Sequence, residues 1–179
     1  MHCSLLVAGK CVRPILSLTA YELVGGRERQ AMPSVVAVEI VQTMSLIHND
    51  IPCMDDDDLH HGKPSNHHVF DEPITIVAGN ALLTLAFDHL AKPASYLADN
   101  PIPPTYIVHT VVELSHSIRP EGLVAGQMVD KESMVLAIPF GLNQLEIIHL
   151  HKTVFLLEAS VVIGAIVGGG SNDQIELLR

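Results

Sequence analysis

Between residues 35 and 47 the chain sets Val35, Val36, Val38, Ile40, Val41, Met44 and Ile47 at helical spacing, then delivers five aspartates in nine positions, Asp50 and Asp55 to Asp58. An apolar helix face of that kind has to be buried against other elements. Like charges packed so closely have to sit in water or around a cation. Both demands meet at one helix C-terminus, where the macrodipole is itself negative and disfavours an unpaired acidic cluster. A fold that meets them buries the helix and lets the carboxylates emerge at its C-terminus, ahead of a turn at Gly62-Lys63-Pro64. A cation at the carboxylates would relieve the repulsion, and oxygen-only ligands suit Mg²⁺.

The rest of the chain reads as all-α. Aromatic residues make up only 4% of the 179, and no run alternates apolar and polar positions at regular spacing. Helices are expected over 4–24, 33–48, 73–91, 103–117, 120–131, 142–168 and from 171 onward. Pro33, Pro73 and Pro120 are placed at helix starts, where a missing N–H does no harm. Gly25-Gly26 and Gly168-Gly169-Gly170 are placed at helix ends. Pro14 falls inside the first segment and should break or kink it near Arg13. Residues 96–104, with Pro101, Pro103 and Pro104, read as a loop. Nothing marks a second domain, so 1–179 is expected to be a single unit.

A net charge of −10 argues against a nucleic-acid partner and against charge-driven binding to anionic membranes. An anionic substrate would need local cations or metal. Cys3, Cys11 and Cys53 follow no CxxC spacing, which points to free thiols. The longest apolar run, 159–170, is expected to be core and too short for a membrane span. The N-terminus lacks the basic region of a signal peptide and the Arg/Ser-rich character of a transit segment.

Four ordered motifs carry a resemblance. They are Gly9-Lys10-x-x-Arg13-Pro14, then SLIHNDIPCMDDDDLHHGKPSNH, then GLVAGQMVD (122–130), then HLHKT (149–153) leading into LLEASVVIGAIVGGGS. Together they resemble a trans-prenyl diphosphate synthase of the plant plastid geranylgeranyl type. The resemblance implies an isoprenoid-synthase helical bundle that joins isopentenyl diphosphate to an allylic diphosphate by ionisation, alkylation and loss of a proton, with Mg²⁺ clamping the leaving diphosphate. It implies a metal set in the first aspartate-rich motif, here Asn49, Asp50 and Asp55. Lys10 and Arg13 match the residues that bind isopentenyl diphosphate. Lys152 and Thr153 match a pair near the allylic diphosphate and the developing cation, so the catalytic set by resemblance is Asp50, Asp55, Lys152 and Thr153. Gln127 and Asp130 match a pocket-lining turn. Met44 and Ser45 match positions where bulky aromatics shorten the product, and their modest size leaves room for a geranylgeranyl-length chain. A plastid location and a homo- or heterodimer with another synthase follow from the same resemblance; without a transit segment in the chain, the cytoplasm is the other expected location.

Several positions depart from that pattern. Gln42 stands where a His helps bind isopentenyl diphosphate, Asn49 replaces the first metal-binding Asp, and His60 and His61 replace two diphosphate-binding Arg. The second aspartate-rich motif, FQxxDD, would fall beyond Arg179 and the leading helices before Met1, so a partial bundle is expected. Each interaction with a charged group is worth about 1.5–3 kcal/mol, so these losses cost on the order of 10³-fold or more in transition-state stabilisation. The expectation is a weak or inactive synthase, with a non-catalytic partner subunit and an unstable relic as alternatives. A transition-metal site built from His60, His61, His67, His68 and the aspartates is a further reading, to which adjacent histidines pointing in different directions lend little support.

Overall fold

The computed structural model describes residues 10–92, 101–136 and 141–179. The architecture is helical: α1 (Val12–Leu23), α2 (Glu28–Asn49), α3 (Asn66–Phe70), α4 (Glu72–Ala91), α5 (Pro104–Ile118), α6 (Ala125–Leu136), α7 (Leu142–His149), α8 (Phe155–Val167) and α9 (Asn172–Leu177). A two-residue antiparallel hairpin, β1 (Leu59–His60) and β2 (Lys63–Pro64), lies between α2 and α3. It is too short for the alternation that identifies strands in a sequence. His61 (φ 50°) and Gly62 (φ 77°) form its turn, both in the left-handed region that two-residue hairpins require. The turn thus falls one residue earlier than the spacing of Gly62-Lys63-Pro64 predicts.

Helix α2 is the hub. It packs against α1, α4 and α8, and Val35, Val38, Ile40, Val41, Met44 and Ile47 are buried as expected, while Val36 stays 37% exposed. Pro33 lies inside this helix, not at its start. The missing N–H costs one rung, but Ala31, Ser34, Val35, Ala37 and Val38, buried on either side of it, hold the helix through the proline. At the other end, α2 is tied to α4 by His48, whose Nε2 lies 3.2 Å from the Ile76 carbonyl. A carbonyl only accepts, so Nε2 carries the proton. Gly79 makes room, since a Cβ there would lie 2.0 Å from that same nitrogen.

Helix α8 crosses α1 at backbone distance. A Cβ on Gly164 would lie 2.1 Å from the Ser17 carbonyl oxygen, and one on Gly168 would lie 2.4 Å from Val24 and 2.9 Å from the Tyr21 carbonyl oxygen. Leu156, Ala159, Val162 and Ile163 fill the core along α8. Helix α1 begins at Val12, so Pro14 sits in its first turn, where it is tolerated; residues 4–9 of the expected longer helix lie outside the described residues, as does most of the loop over 96–104. The expected single helix over 142–168 is interrupted by a π-helical turn, Leu150–Val154, and a kinked turn over Pro120–Val124, where Gly122 leaves helical geometry (φ −95°, ψ −126°), leads into α6.

Ser171 opens α9 with a capping box, its hydroxyl accepting from the Gln174 amide while Gln174 Oε1 accepts from the Ser171 amide. Arg179 then reaches back as a fork to the buried Glu113 of α5, at 3.1 and 2.7 Å. By length and composition alone, Gln30–Asn49, Glu72–Ala91 and Leu145–Val167 are apolar enough to cross a membrane. That departs from the expectation set by the 159–170 run, because the apolar stretches extend well beyond it. Two of the three are spent on the bundle core.

Candidate functional site

A polar cleft lies at the end of α2, and backbone hydrogen bonds build it. The last carbonyls of a helix lack partners. Here the Asn49 carbonyl accepts from the Asp55 amide at 2.9 Å and the Asp50 carbonyl from the Asp57 amide at 3.2 Å. This folds the acidic loop back over the helix end and brings Asp55 beside Asn49. Ser65, 1% exposed, closes the base of the loop by donating its amide and hydroxyl to the Asp58 carbonyl. Asp56, Asp57 and Asp58 remain in solvent.

From the opposite wall, α6 and the π-helical turn supply cations. Lys131 Nζ lies 2.9 Å from Asp55 Oδ1, and Lys152 Nζ lies 2.7 Å from Asp130 and 3.4 Å from Asp55 Oδ2. Asn49 Nδ2 donates to Asp55 Oδ2, and Gln127 Nε2 donates to Asn49 Oδ1. Gly126 permits this arrangement, because a Cβ there would lie 2.5 Å from the Lys152 amide nitrogen and 2.8 Å from His151. His151 Nδ1 donates to the Glu121 carbonyl at 2.9 Å, pinning the π-helical turn to the turn before α6. π-helical turns cluster at functional sites because they aim side chains that a regular helix would space differently.

Charge states follow from these contacts. Burial works against the ionised Asp55, but the Lys131 ammonium paired with it, the Asn49 amide and the charge of Lys152 outweigh it and hold the carboxyl below its usual value. Burial likewise works against the Lys152 ammonium, yet Asp130 and Asp55 prevail and raise its pKa. Asp50 is 5% exposed, and burial raises its pKa while His60, 3.1 Å away through Nδ1, pulls it back.

Two cavities flank α2 on opposite faces. One, of about 720 Å³, is lined largely by apolar side chains including Met44, Ile51, Met54, Leu83 and Leu123, with Asn49, Gln127 and Lys131 as polar members of its wall. The other, of about 330 Å³, is lined by Lys10, Arg13, Glu39, Gln42, Thr43, His60 and His61 among others. Arg13 Nε is buried without a hydrogen-bond partner, and burial pushes the Arg13 pKa down while Glu39 draws it back up.

Asp50 faces His60, Met44 and Ser45 line the larger cavity, and the other residues singled out in the sequence fall into three groups. Lys10, Arg13, Gln42, His60 and His61 share the smaller cavity. Asn49, Asp55, Gln127, Asp130 and Lys152 share the polar network. Thr153 is exposed and lines neither cavity. Lys131 was missed by the sequence reading; its spacing of four from Gln127 puts both on one helix face, which is the signal that could have found it.

The Mg²⁺ expected at Asn49, Asp50 and Asp55 does not fit this arrangement. Mg²⁺ keeps several waters and is held by one or two carboxylates together with substrate phosphates, so the fit turns on whether Asp50 and Asp55 are free to face it. Here Asn49 turns its amide nitrogen toward Asp55, and each oxygen of Asp55 already has a cationic neighbour, while Asp50 faces His60. Among the described residues no group of three or more His, Cys, Asp or Glu side chains is placed to hold a metal ion, which also removes support for a histidine-rich transition-metal site. His68 instead pairs with Asp58 at 2.9 Å, and His67 Nδ1 lies 3.2 Å from the Ser65 hydroxyl.

Comparison with known proteins places these features. A family model for polyprenyl synthetase matches residues 1–179. The large subunit 1 of a heterodimeric geranylgeranyl pyrophosphate synthase, chloroplastic, from Arabidopsis thaliana is 57% identical over all of this chain and 48% of its own length. A chloroplastic geranylgeranyl pyrophosphate synthase from Catharanthus roseus is 54% identical, again over all of this chain and 48% of its own length. The chain thus spans about half the length of the curated relatives it matches. Among solved structures, an FPP/GFPP synthase from Zymomonas mobilis superposes with a TM-score of 0.86 at 31% identity, over 96% of this chain and 60% of that one. A match along the whole chain, joined to a backbone shared with solved synthases of this kind, makes the protein a member of the polyprenyl synthetase family.

Proposed function

We propose that the chain carries the prenyl-diphosphate cleft of a geranylgeranyl diphosphate synthase-type prenyltransferase, whose reaction joins isopentenyl diphosphate to an allylic diphosphate. The observation that carries this reading is the apolar cavity of about 720 Å³ whose wall includes Asn49, Gln127 and Lys131, part of the charged network. A ligand with a long apolar tail and a diphosphate head fits such a site. Across α2, Lys10 and Arg13 line a second, polar cavity suited to the isopentenyl diphosphate head, and the unpartnered Arg13 Nε supports an anion there. In the reaction the allylic C–O bond breaks and the diphosphate leaves with the electron pair. The isopentenyl alkene attacks the resulting cation, a C–C bond forms and a proton is lost. Lys152 offers positive charge toward the departing oxygens, with Gln127 beside it and Thr153 on the same π-helical turn. The domain assignment, one unit over 1–179, belongs to the same proposal, as does a plastid location, which the chloroplastic names of the relatives support.

Turnover on this chain is proposed to be low. Gln42, Asn49, His60 and His61 replace charged or metal-binding groups of the resembled pattern, and His60 is occupied by Asp50. An imidazole lacks the parallel N–H pair with which a guanidinium grips phosphate. The tests are the melting temperature of the purified chain with and without farnesyl diphosphate, and incorporation of radiolabelled isopentenyl diphosphate with farnesyl diphosphate, on the chain alone and mixed with a full-length synthase. The expected result is thermal stabilisation by farnesyl diphosphate with product formation on the order of 10³-fold below the full-length enzyme. Absence of any stabilisation would overturn the prenyl cleft; turnover at the full-length rate would overturn the low activity.

A second reading, that the chain is a partner subunit of an active synthase, draws on one specific feature. Ile74, Val77, Ala81 and Leu85 form an exposed stripe along a single face of α4, the arrangement a helix–helix contact buries. Comigration with a full-length synthase in size-exclusion chromatography, lost in a Val77→Asp variant, is the expected result.

A further inference from the structure

We infer that this chain carries a tethered cation where the resembled enzymes hold a metal: the Lys131 ammonium sits against the Asp55 carboxylate, and Asn49 completes a charge-balanced network that disfavours a divalent ion there. The inference deepens the reading of this cleft as a diphosphate site and rests on it for where the metal would stand. Three observations carry it. First, Lys131 Nζ sits 2.9 Å from Asp55 Oδ1 while Lys152 Nζ approaches Oδ2 at 3.4 Å, so the carboxylate is met by an ammonium at each oxygen. Second, Asn49 orients by elimination. An ionised carboxylate only accepts, so the amide must turn its nitrogen to Asp55, and its oxygen is taken by Gln127. The oxygen of residue 49 that would join Asp55 around a cation is thus already engaged by Gln127. Third, the inner network balances without an ion: Asp55 and Asp130 carry two negative charges, and Lys131 and Lys152 two positive ones.

A metal coordinated by Asp55 Oδ1 would have to displace Lys131 or share its oxygen with it, bringing three positive charges together. Lys131 also lines the apolar cavity, so its ammonium is positioned to meet a diphosphate head at the cavity mouth without a metal. Compared with a bound ion, a covalently attached charge is always present, and its occupancy does not depend on the free metal concentration.

The test titrates Mn²⁺, as a spectroscopic substitute for Mg²⁺, into the full 179-residue chain and follows the free-ion electron paramagnetic resonance signal. The unmodified chain and Lys131→Arg should bind Mn²⁺ no better than the solvated Asp56–Asp58 run allows. The double variant Asn49→Asp with Lys131→Met should bind at least tenfold more tightly and gain thermal stability from the ion. If the double variant is unfolded in metal-free buffer, the inference predicts that millimolar Mn²⁺ restores its helical circular dichroism; failure to do so counts against it. Equal Mn²⁺ affinity in the unmodified chain and the double variant would overturn the tethered-cation assignment. So would the absence of any gain on replacing Asn49 and Lys131. The farnesyl diphosphate stabilisation assay tests the prenyl cleft separately, so failure of one reading is distinguishable from failure of the other.

Discussion

Where α1 crosses α8, backbone meets backbone: Gly164 lies against the Ser17 carbonyl and Gly168 against the Tyr21 carbonyl, so close that a Cβ on either would collide. At the end of α2 the balance shifts: one backbone bond, from the Asp55 amide to the Asn49 carbonyl, sets the loop, and Asn49, Asp55, Gln127, Lys131, Asp130 and Lys152 otherwise meet through the tips of their side chains. The crossing is specified by the absence of atoms and the cleft by the pairing of charges. The crossing therefore tolerates almost no added volume, while the cleft tolerates change of shape but not loss of one partner. Interiors are packed like organic crystals, which makes the first intolerant; removing one member of a buried charge network leaves the other unpaired, which governs the second.

The sharpest way to break this contrast is Gly164→Val. With a Cβ at 2.1 Å from a backbone oxygen, one of the two helices has to move, and overpacking of that kind costs about 3 kcal/mol or more. Loss of the cooperative thermal transition is expected, and a melting temperature unchanged from the parent chain would show that the crossing is loose.

Lys152→Met comes next. Asp55 and Asp130 would be left with Lys131 as their nearest cation, at a cost of about 2 kcal/mol in stability. Farnesyl diphosphate affinity should fall more than tenfold in the same variant, a loss that a core mutation of equal ΔΔG would not produce. Parallel calorimetric titrations of Lys152→Met and a buried Leu82→Ala control distinguish the two cases.

Ser171→Ala probes neither region directly. It removes the capping box of α9, worth about 1 kcal/mol, and releases Arg179 from Glu113 as the short helix frays. Faster amide exchange confined to α9 and its contact on α5 is the expected signature.

The smallest effect is at the rim of the second cavity. Burial raises the Glu39 carboxyl above its ordinary value, with Arg13 drawing it partly back down. A raised acid favours the folded chain most when protonated, so its contribution is complete below about pH 4.3 and is lost as pH rises through the higher folded value. Glu39→Gln should accordingly gain about 1 °C or slightly more at pH 7, and the difference should close as pH falls toward about 4. Melting curves across that range check the sign.

Much of this was legible in the residues. The all-α class, the helices over 73–91 and 103–117, and the buried stripe of α2 follow from periodicity and caps that act within a few residues. The motifs also pointed to the elements that bear the cleft. Pro33, read as a helix start, lies within α2 because burial around Ala31, Val35 and Val38 overrides one lost hydrogen bond. The π-helical turn at Leu150–Val154 was invisible, since nothing in the local pattern separates it from a regular helix. What the sequence by itself determined is the helical frame, the acidic loop and the residues that identify the family, because these depend on neighbours along the chain. Which cation faces Asp55, which way Asn49 turns and on which side of α2 each cavity opens were decided only when α6 and the turn before α8 packed against the end of α2. Electrostatic pairing depends on distances of a few ångströms between residues that lie up to 97 positions apart in the chain, and those distances exist only in the folded molecule.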